Sequence, residues 1–272
     1  MRKVVLTGIN GKVAQVMKNE LEDRYEVEGL SLVRMDDVLA ESQPASWQEQ
    51  LGAFNDRLMQ QLEQALQGAY AVAHLGWNTR DENCSRGLDP LNIMAVDCVY
   101  RAAVAAGTPR IYMASSVHSY DFMPVFHQDV EPIRPFPDTR TDPFGVPPTS
   151  LYGVSKRWME IAGQFYAQQL SPEQKILVVR LGGVGRSARP RRRGSRLWNS
   201  HRDVVGLFEA FMNCPDAPNF WIAFSVSNNH GDAYSRPLFD AVNPYGFEPQ
   251  DNSFALLDME EPEQQADQRK IA

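Results

Sequence analysis

Lys3-Val4-Val5-Leu6-Thr7-Gly8-Ile9-Asn10-Gly11-Lys12-Val13-Ala14 is the stretch on which the reading of this chain turns. Residues 3–7 form a short apolar run bounded by glycine, the pattern of a buried strand. Val13, Val16, Met17 and Leu21 then fall at i, i+3, i+4 and i+8, one face of a helix that ends around Asp23. Between the two, Gly8 permits a tight turn. Gly11 lets the backbone approach a pyrophosphate held by the helix N-terminus, and Ala14 stands where a third small residue is needed. Asn10, Lys12 and Val13 complete the loop. A plain glycine turn is the alternative reading, and the position at the first strand–helix junction favours the phosphate site.

Working outward, the same alternation continues. Residues 25–32 read as a second strand, residues 35–50 as a polar, irregular excursion, and 51–66 as a helix stopped at Gly68. Residues 69–75 read as a strand, 90–106 as a helix closed by Gly107, and 110–114 as a strand. A Pro-rich loop (121–149) precedes a helix over 152–169 and a strand over 176–181. Strands alternating with helices imply βαβ units in a doubly wound parallel sheet of α/β class. Residues 182–256 are less regular, with two helices and a strand at 220–226 expected, and read as a small substrate-binding cap over the strand ends. Residues 1–258 are expected to form a single domain and the acidic tail 259–272 to be disordered.

Composition narrows the function. Of 272 residues 43% are hydrophobic and 22% charged, ordinary for a globular protein, and the formal charge of −7 argues against a nucleic-acid surface. Cys84, Cys98 and Cys214 are widely spaced, with no pattern for a zinc site, so no metal is expected. No apolar run reaches the length of a membrane span, which predicts a soluble, cytoplasmic chain without a membrane partner.

Tyr152-Gly153-Val154-Ser155-Lys156 puts a phenol and an ammonium at i and i+4 on one helix face. A phenol titrates at about pH 10 in water, so it is a poor base near neutrality. A neighbouring ammonium favours the phenolate, and the pair can then take a proton from a hydroxyl while hydride moves to a nicotinamide. Ser115 or Ser116, at the end of a strand, supplies a hydroxyl to hold the same oxygen. At the end of the second strand, where a carboxylate for the adenosine ribose is expected, stand Ser31, Leu32, Val33 and Arg34. Arg34 can admit a 2′-phosphate or can be a surface charge, so NAD and NADP both stay open. His201 and Asp203 read as structural hydrogen-bond partners, and Trp198 and Trp221 as packing residues.

The glycine loop, the Ser-Ser strand end and the Tyr152–Lys156 pair, in this order, resemble the extended short-chain dehydrogenase/reductase family, also called the NAD-dependent epimerase/dehydratase family. Within it His74-Leu75-Gly76, Ser115-Ser116-Val117-His118, residues 150–156 and Trp198-Asn199-Ser200-His201-Arg202-Asp203 resemble the uronate dehydrogenases. The resemblance implies a Rossmann-type fold, with Tyr152 as general base, Lys156 on the nicotinamide ribose and Ser116 on the reacting oxygen. It further implies Leu75 and Asn92 beside the cofactor, and Thr79, His118 and Arg193 on the substrate. Three positions depart from the family pattern: Val117 for an asparagine, Trp77 for a glycine, and Leu32 for the ribose-binding aspartate.

The activity expected is NAD(P)-dependent oxidation of a hydroxyl of a sugar or sugar acid, a small carbohydrate being the partner. The alternatives are a nucleotide-sugar epimerase or dehydratase with tightly bound NAD, and a non-enzymatic dinucleotide-binding sensor. The family also implies a homodimer, with the helices 90–106 and 152–169 pairing between subunits.

Overall fold

The computed structural model describes residues 1–41, 46–78, 88–135, 146–190 and 195–256. Six strands, β1 (Lys3–Thr7), β2 (Glu26–Leu30), β3 (Ala71–His74), β4 (Arg110–Ser116), β5 (Lys175–Leu181) and β6 (Phe220–Ser225), form one sheet in the order β2-β1-β3-β4-β5-β6. Every pairing is parallel, as the βαβ alternation requires. The winding reverses between β1 and β3, the position where doubly wound sheets open a crevice at their carboxyl ends.

Helices cover both faces. α1 (Lys12–Leu21) and α6 (His201–Asn213) pack on one, while α2 (Met35–Glu41), α3 (Trp47–Leu66), α4 (Pro90–Ala105) and α5 (Leu151–Tyr166) pack on the other. Strand side chains alternate between the two layers. Val4 and Leu6 join Met17, Leu21, Phe208 and Phe211, while Val5 joins Leu58, Leu62, Val99 and Met159. A third cluster, Val117, Phe122, Phe224, Val226, Leu238 and Phe239, lies at the carboxyl ends of β4 and β6.

Two stretches differ from the sequence reading. Residues 35–41 form α2 instead of an irregular excursion, and α3 begins at Trp47 instead of Leu51. The reason is Ser46, whose hydroxyl accepts from Glu49 N while Glu49 accepts from Ser46 N, a reciprocal cap that starts the helix one turn early. Between Gly182 and Leu256 the described residues hold two stretches of α-helix, α6 and residues 253–256, together with β6; the rest is short turns pinned by side chains. Asp203 is the chief pin, accepting from Ser227 Oγ, Gln250 N and Asp251 N, and His201 Nε2 bonds the carbonyl of Gly185. Both residues are thus structural, as expected, and Trp198 is buried. The tail 259–272 and Cys84 lie outside the described residues. Among those described, no helix is long and apolar enough to cross a membrane.

At the switch point, β1 and β3 are joined by one hydroxyl. Thr7 Oγ1 accepts from the backbone N–H groups of Leu75 (3.2 Å) and Gly76 (3.3 Å) and lies 2.8 Å from His74 Nδ1. With its lone pairs used, Thr7 donates its single proton to Nδ1, so the imidazole carries hydrogen on Nε2. That nitrogen is buried without a hydrogen-bond partner. Burial first, and then repulsion from the Lys156 ammonium, push the His74 pKa down to about 3. The native imidazole therefore stays neutral in a range where the unfolded chain, with an ordinary pKa of 6.5, takes up a proton. Stability from this residue is complete above pH 6.5 and declines as pH falls towards 3. His74→Asn, which keeps an acceptor for Thr7, should reduce by about 2 kcal/mol the loss of unfolding free energy between near pH 7 and near pH 5. Urea unfolding at the two pH values measures this; an unchanged slope would exclude a neutral buried His74.

Candidate active site

The cofactor-loop residues converge at the switch point. Gly8 has φ +68°, and a Cβ there would lie 2.3 Å from Gly76 Cα, so the two loops pass only with glycine at position 8. Gly11 N–H donates to Gly8 O at 2.8 Å, closing the turn. Gly11 is also the N-cap of α1, with no side-chain cap and no acidic residue in the first turn. By contrast Ser46, Asp89, Ser150 and Ser200 cap α3, α4, α5 and α6 with side-chain oxygens. The N–H groups of α1 are left for another acceptor, and an anion is the ligand a helix N-terminus suits. Residues 8–13 thus fit a pyrophosphate. Asn10 and Lys12 stand exposed on this loop, Val13 packs partly under it, and Leu75, half-buried, sits at the end of β3 across from Thr7.

At the far end of β2 the chain turns around Gln61, which accepts from Val33 N and donates to Ser31 O. Leu32 packs towards Gly76 and holds the position from which a ribose carboxylate would reach. Arg34 extends into solvent with a loose contact, 3.6 Å, to Asp36.

The residues expected to react come from β4 and α5. Ser150 caps α5, and Gly153 lets its first turn abut the carbonyl of His118, which an added Cβ would approach to 2.1 Å. Lys156 is 4% exposed. Its ammonium donates to Ala114 O at 2.7 Å, lies 3.7 Å from the Trp77 ring centre and 5.8 Å from that of Tyr152. An ammonium over an indole face is attracted by the ring's negative centre. Trp77, noted in the sequence only as a departure from a glycine, is therefore a wall of the Lys156 site, and its Nε1 is buried without a partner.

Of the two candidate hydroxyls the structure separates the roles. Ser115 points inward and donates to Glu160 at 2.7 Å. Ser116 accepts from His118 N at 3.2 Å at the start of the turn 117–119, which leaves its own proton to donate. His118 stands 6.2 Å, ring to ring, from Tyr152, and its Nδ1 lies 3.0 Å from Thr149 Oγ1. Burial lowers the His118 pKa, favouring the neutral ring. Ser116, His118, Tyr152 and Lys156 are thus gathered at the carboxyl end of β4.

Asn92 is brought to the same crevice, but its amide is engaged with the backbone: Asn78 N donates to it at 2.9 Å and Asn78 O accepts from it at 3.1 Å. It shapes the loop after β3. Thr79 and Arg193 lie outside the described residues. The sequence reading missed Glu160 and Arg180, a buried ion pair beneath this site. Glu160 falls eight residues after Tyr152, on the Tyr–Lys helix face, and that spacing was the available signal.

No family model matches the chain. It is 29% identical to the NAD-dependent glucose-6-phosphate dehydrogenase of Haloferax volcanii over 254 residues, 92% of this chain and 94% of that protein. It is 30% identical to the uronate dehydrogenase of Agrobacterium fabrum over 194 residues, 70% of this chain and 64% of that protein. The crystal structure of uronate dehydrogenase from Agrobacterium tumefaciens superposes with a TM-score of 0.67 at 24% identity, covering 95% of this chain and 88% of that one. Together with the parallel sheet and the Gly8–Gly11 loop, these likenesses support the extended short-chain dehydrogenase/reductase family for this chain, with uronate dehydrogenases among its relatives.

Proposed function

We propose that the protein is an NAD(P)-dependent dehydrogenase of a sugar or sugar acid, in which Tyr152 is the general base. The observation that carries this reading is the gathering of Ser116, Tyr152 and Lys156 beside an α1 N-terminus left without a cap. The relatives' names point to the same class, one acting on glucose 6-phosphate and one on a uronate. A bound NAD(P)⁺ supplies the hydride acceptor. The chain's own groups do the rest. Gly8, Asn10, Gly11, Lys12 and Val13 hold the pyrophosphate, Leu75 lines the cofactor crevice, and Asn92 supports that crevice through Asn78. The Lys156 ammonium favours the ionised phenol of Tyr152, which removes the proton of the substrate hydroxyl. Ser116 donates to the same oxygen and steadies the charge that develops there as the proton leaves.

Substrate specificity falls to His118, Thr79 and Arg193, with Trp77 narrowing the pocket and Arg193 offering a planar donor to an anionic sugar. Residues 182–256 serve as the substrate cap on one domain spanning 1–258. Leu32 in place of a carboxylate, with Arg34 nearby, removes the usual bar to a 2′-phosphate, so NADP is accepted beside NAD. A soluble protein working in the cytoplasm on a small carbohydrate, without nucleic acid, fits the acidic composition.

The reading is tested by following reduction of NAD⁺ and NADP⁺ with uronic acids, neutral aldoses and sugar phosphates. Turnover is expected with at least one class, and Tyr152→Phe should lower kcat by about 10²–10⁴-fold. Unchanged turnover in Tyr152→Phe would sink the mechanism.

A homodimer is proposed through α5. Leu151, Val154, Ile161 and Phe165 are exposed, Trp158 is half-buried, and their 3-4-3-4 spacing is the seam of a helix pair. Phe165→Asp should convert the protein from dimer to monomer in analytical ultracentrifugation. A monomeric wild-type protein at tens of micromolar would exclude the dimer.

A further inference from the structure

Beneath the reacting set lies a buried carboxylate for which the reaction above has no use. Tyr152, Lys156 and Glu160 follow one another at i, i+4 and i+8 on the same face of α5. The side chains of Glu160 and Arg180 are 3% and 4% exposed. Arg180, on β5, donates from Nε to Oε1 at 2.9 Å and from Nη2 to Oε2 at 2.7 Å, the planar two-point arrangement that fixes orientation as well as distance. Oε1 also accepts from Ser115 Oγ and from Ser119 Oγ, each at 2.7 Å. Arg180 Nη1 reaches the carbonyl of Pro135 at 3.2 Å.

Stability alone does not explain such a pair, because well-packed apolar side chains fill a buried site at least as favourably. What a carboxylate adds is direction: its donors must stand at defined places around it. Here the donors are Ser115 and Ser119, which bracket Ser116, Val117 and His118. Both ends of the turn that carries the reacting hydroxyl and the pocket histidine are thereby tied to the helix that carries Tyr152 and Lys156.

We infer that Glu160, oriented by Arg180, is a positioning residue that sets Ser116 and His118 against Tyr152. The inference rests on the reading of Ser116 and Tyr152 given above. Glu160 touches no reacting atom; it acts through the two serines.

Removing Glu160 or Arg180 strands a buried charge and can prevent folding, so Ser119→Ala carries the test. It cuts one arm of the clasp and leaves the ion pair whole. In the ligand-free protein, hydrogen exchange at the amides of His118 and Tyr120, bonded to Ser116 Oγ and Val117 O, should rise by about tenfold with the α5 amides unchanged. With NAD⁺ and D-glucuronate or D-glucose 6-phosphate, kcat should fall by about ten- to a hundredfold at constant KM for NAD⁺. Adding Ser119→Ala to Ser116→Ala should cost severalfold less, since His118 alone is then left to place. Unchanged exchange at His118 and Tyr120 overturns the inference. So does a loss of kcat that is equally large in the Ser116→Ala background, which marks a general structural role. Full turnover by Tyr152→Phe brings down the underlying reading, a failure told apart because the exchange measurement requires no turnover.

Discussion

The closeness of Gly8 and Gly76 is the constraint around which the crevice is built. Parallel neighbours β1 and β3 deliver their loops to the same place, and a methyl group on Gly8 would lie 2.3 Å from Gly76 Cα. Thr7 holds the contact by taking two N–H groups of the second loop and giving its proton to His74. A side chain on Gly8 would part the loops and move the α1 N-terminus away from the β3 end. The proposed cofactor site therefore depends on backbone approach more than on any charged residue.

The helix termini show how that site is kept open. Capping side chains contribute about 1 kcal/mol each, and α3, α4, α5 and α6 all have one. α1 goes without a side-chain cap, and the stabilisation it forgoes leaves its first N–H groups for another acceptor. On the other side of the crevice polar residues are buried in an unusual concentration: Ser115, Ser116, Ser119, Lys156, Glu160 and Arg180 are all at or below 5% exposure. Their desolvation is tolerable because each has a hydrogen-bond partner, and a network so bonded admits few alternative arrangements. Such rigidity is what a reaction depending on a short proton transfer requires.

Much of the fold was legible because hydrophobic period and glycine placement are local signals. Residues 3–7 and 110–114 read as strands and 90–106 as a helix from their own composition, and all three formed, the second strand running on to Ser116. The irregular reading of 35–50 failed because a capping box at Ser46 and Glu49 outweighed a polar composition. Between the helices of 182–256, Asp203, Asn229 and Asn199 pin the chain by side chain-to-backbone bonds. Such bonds link residues up to 48 apart and leave no periodic trace.

For the site, the sequence by itself determined the residue types and their order: a glycine loop, a pair of serines at a strand end, and a tyrosine four residues before a lysine. Those follow from spacing along one helix or one turn. Tertiary structure decided which serine faces the crevice, that Asn92 spends its amide on Asn78, that Trp77 covers the Lys156 ammonium, and that Glu160 meets Arg180. These are contacts between separate strands and helices, set by sheet order and register, and no local pattern in the chain encodes them.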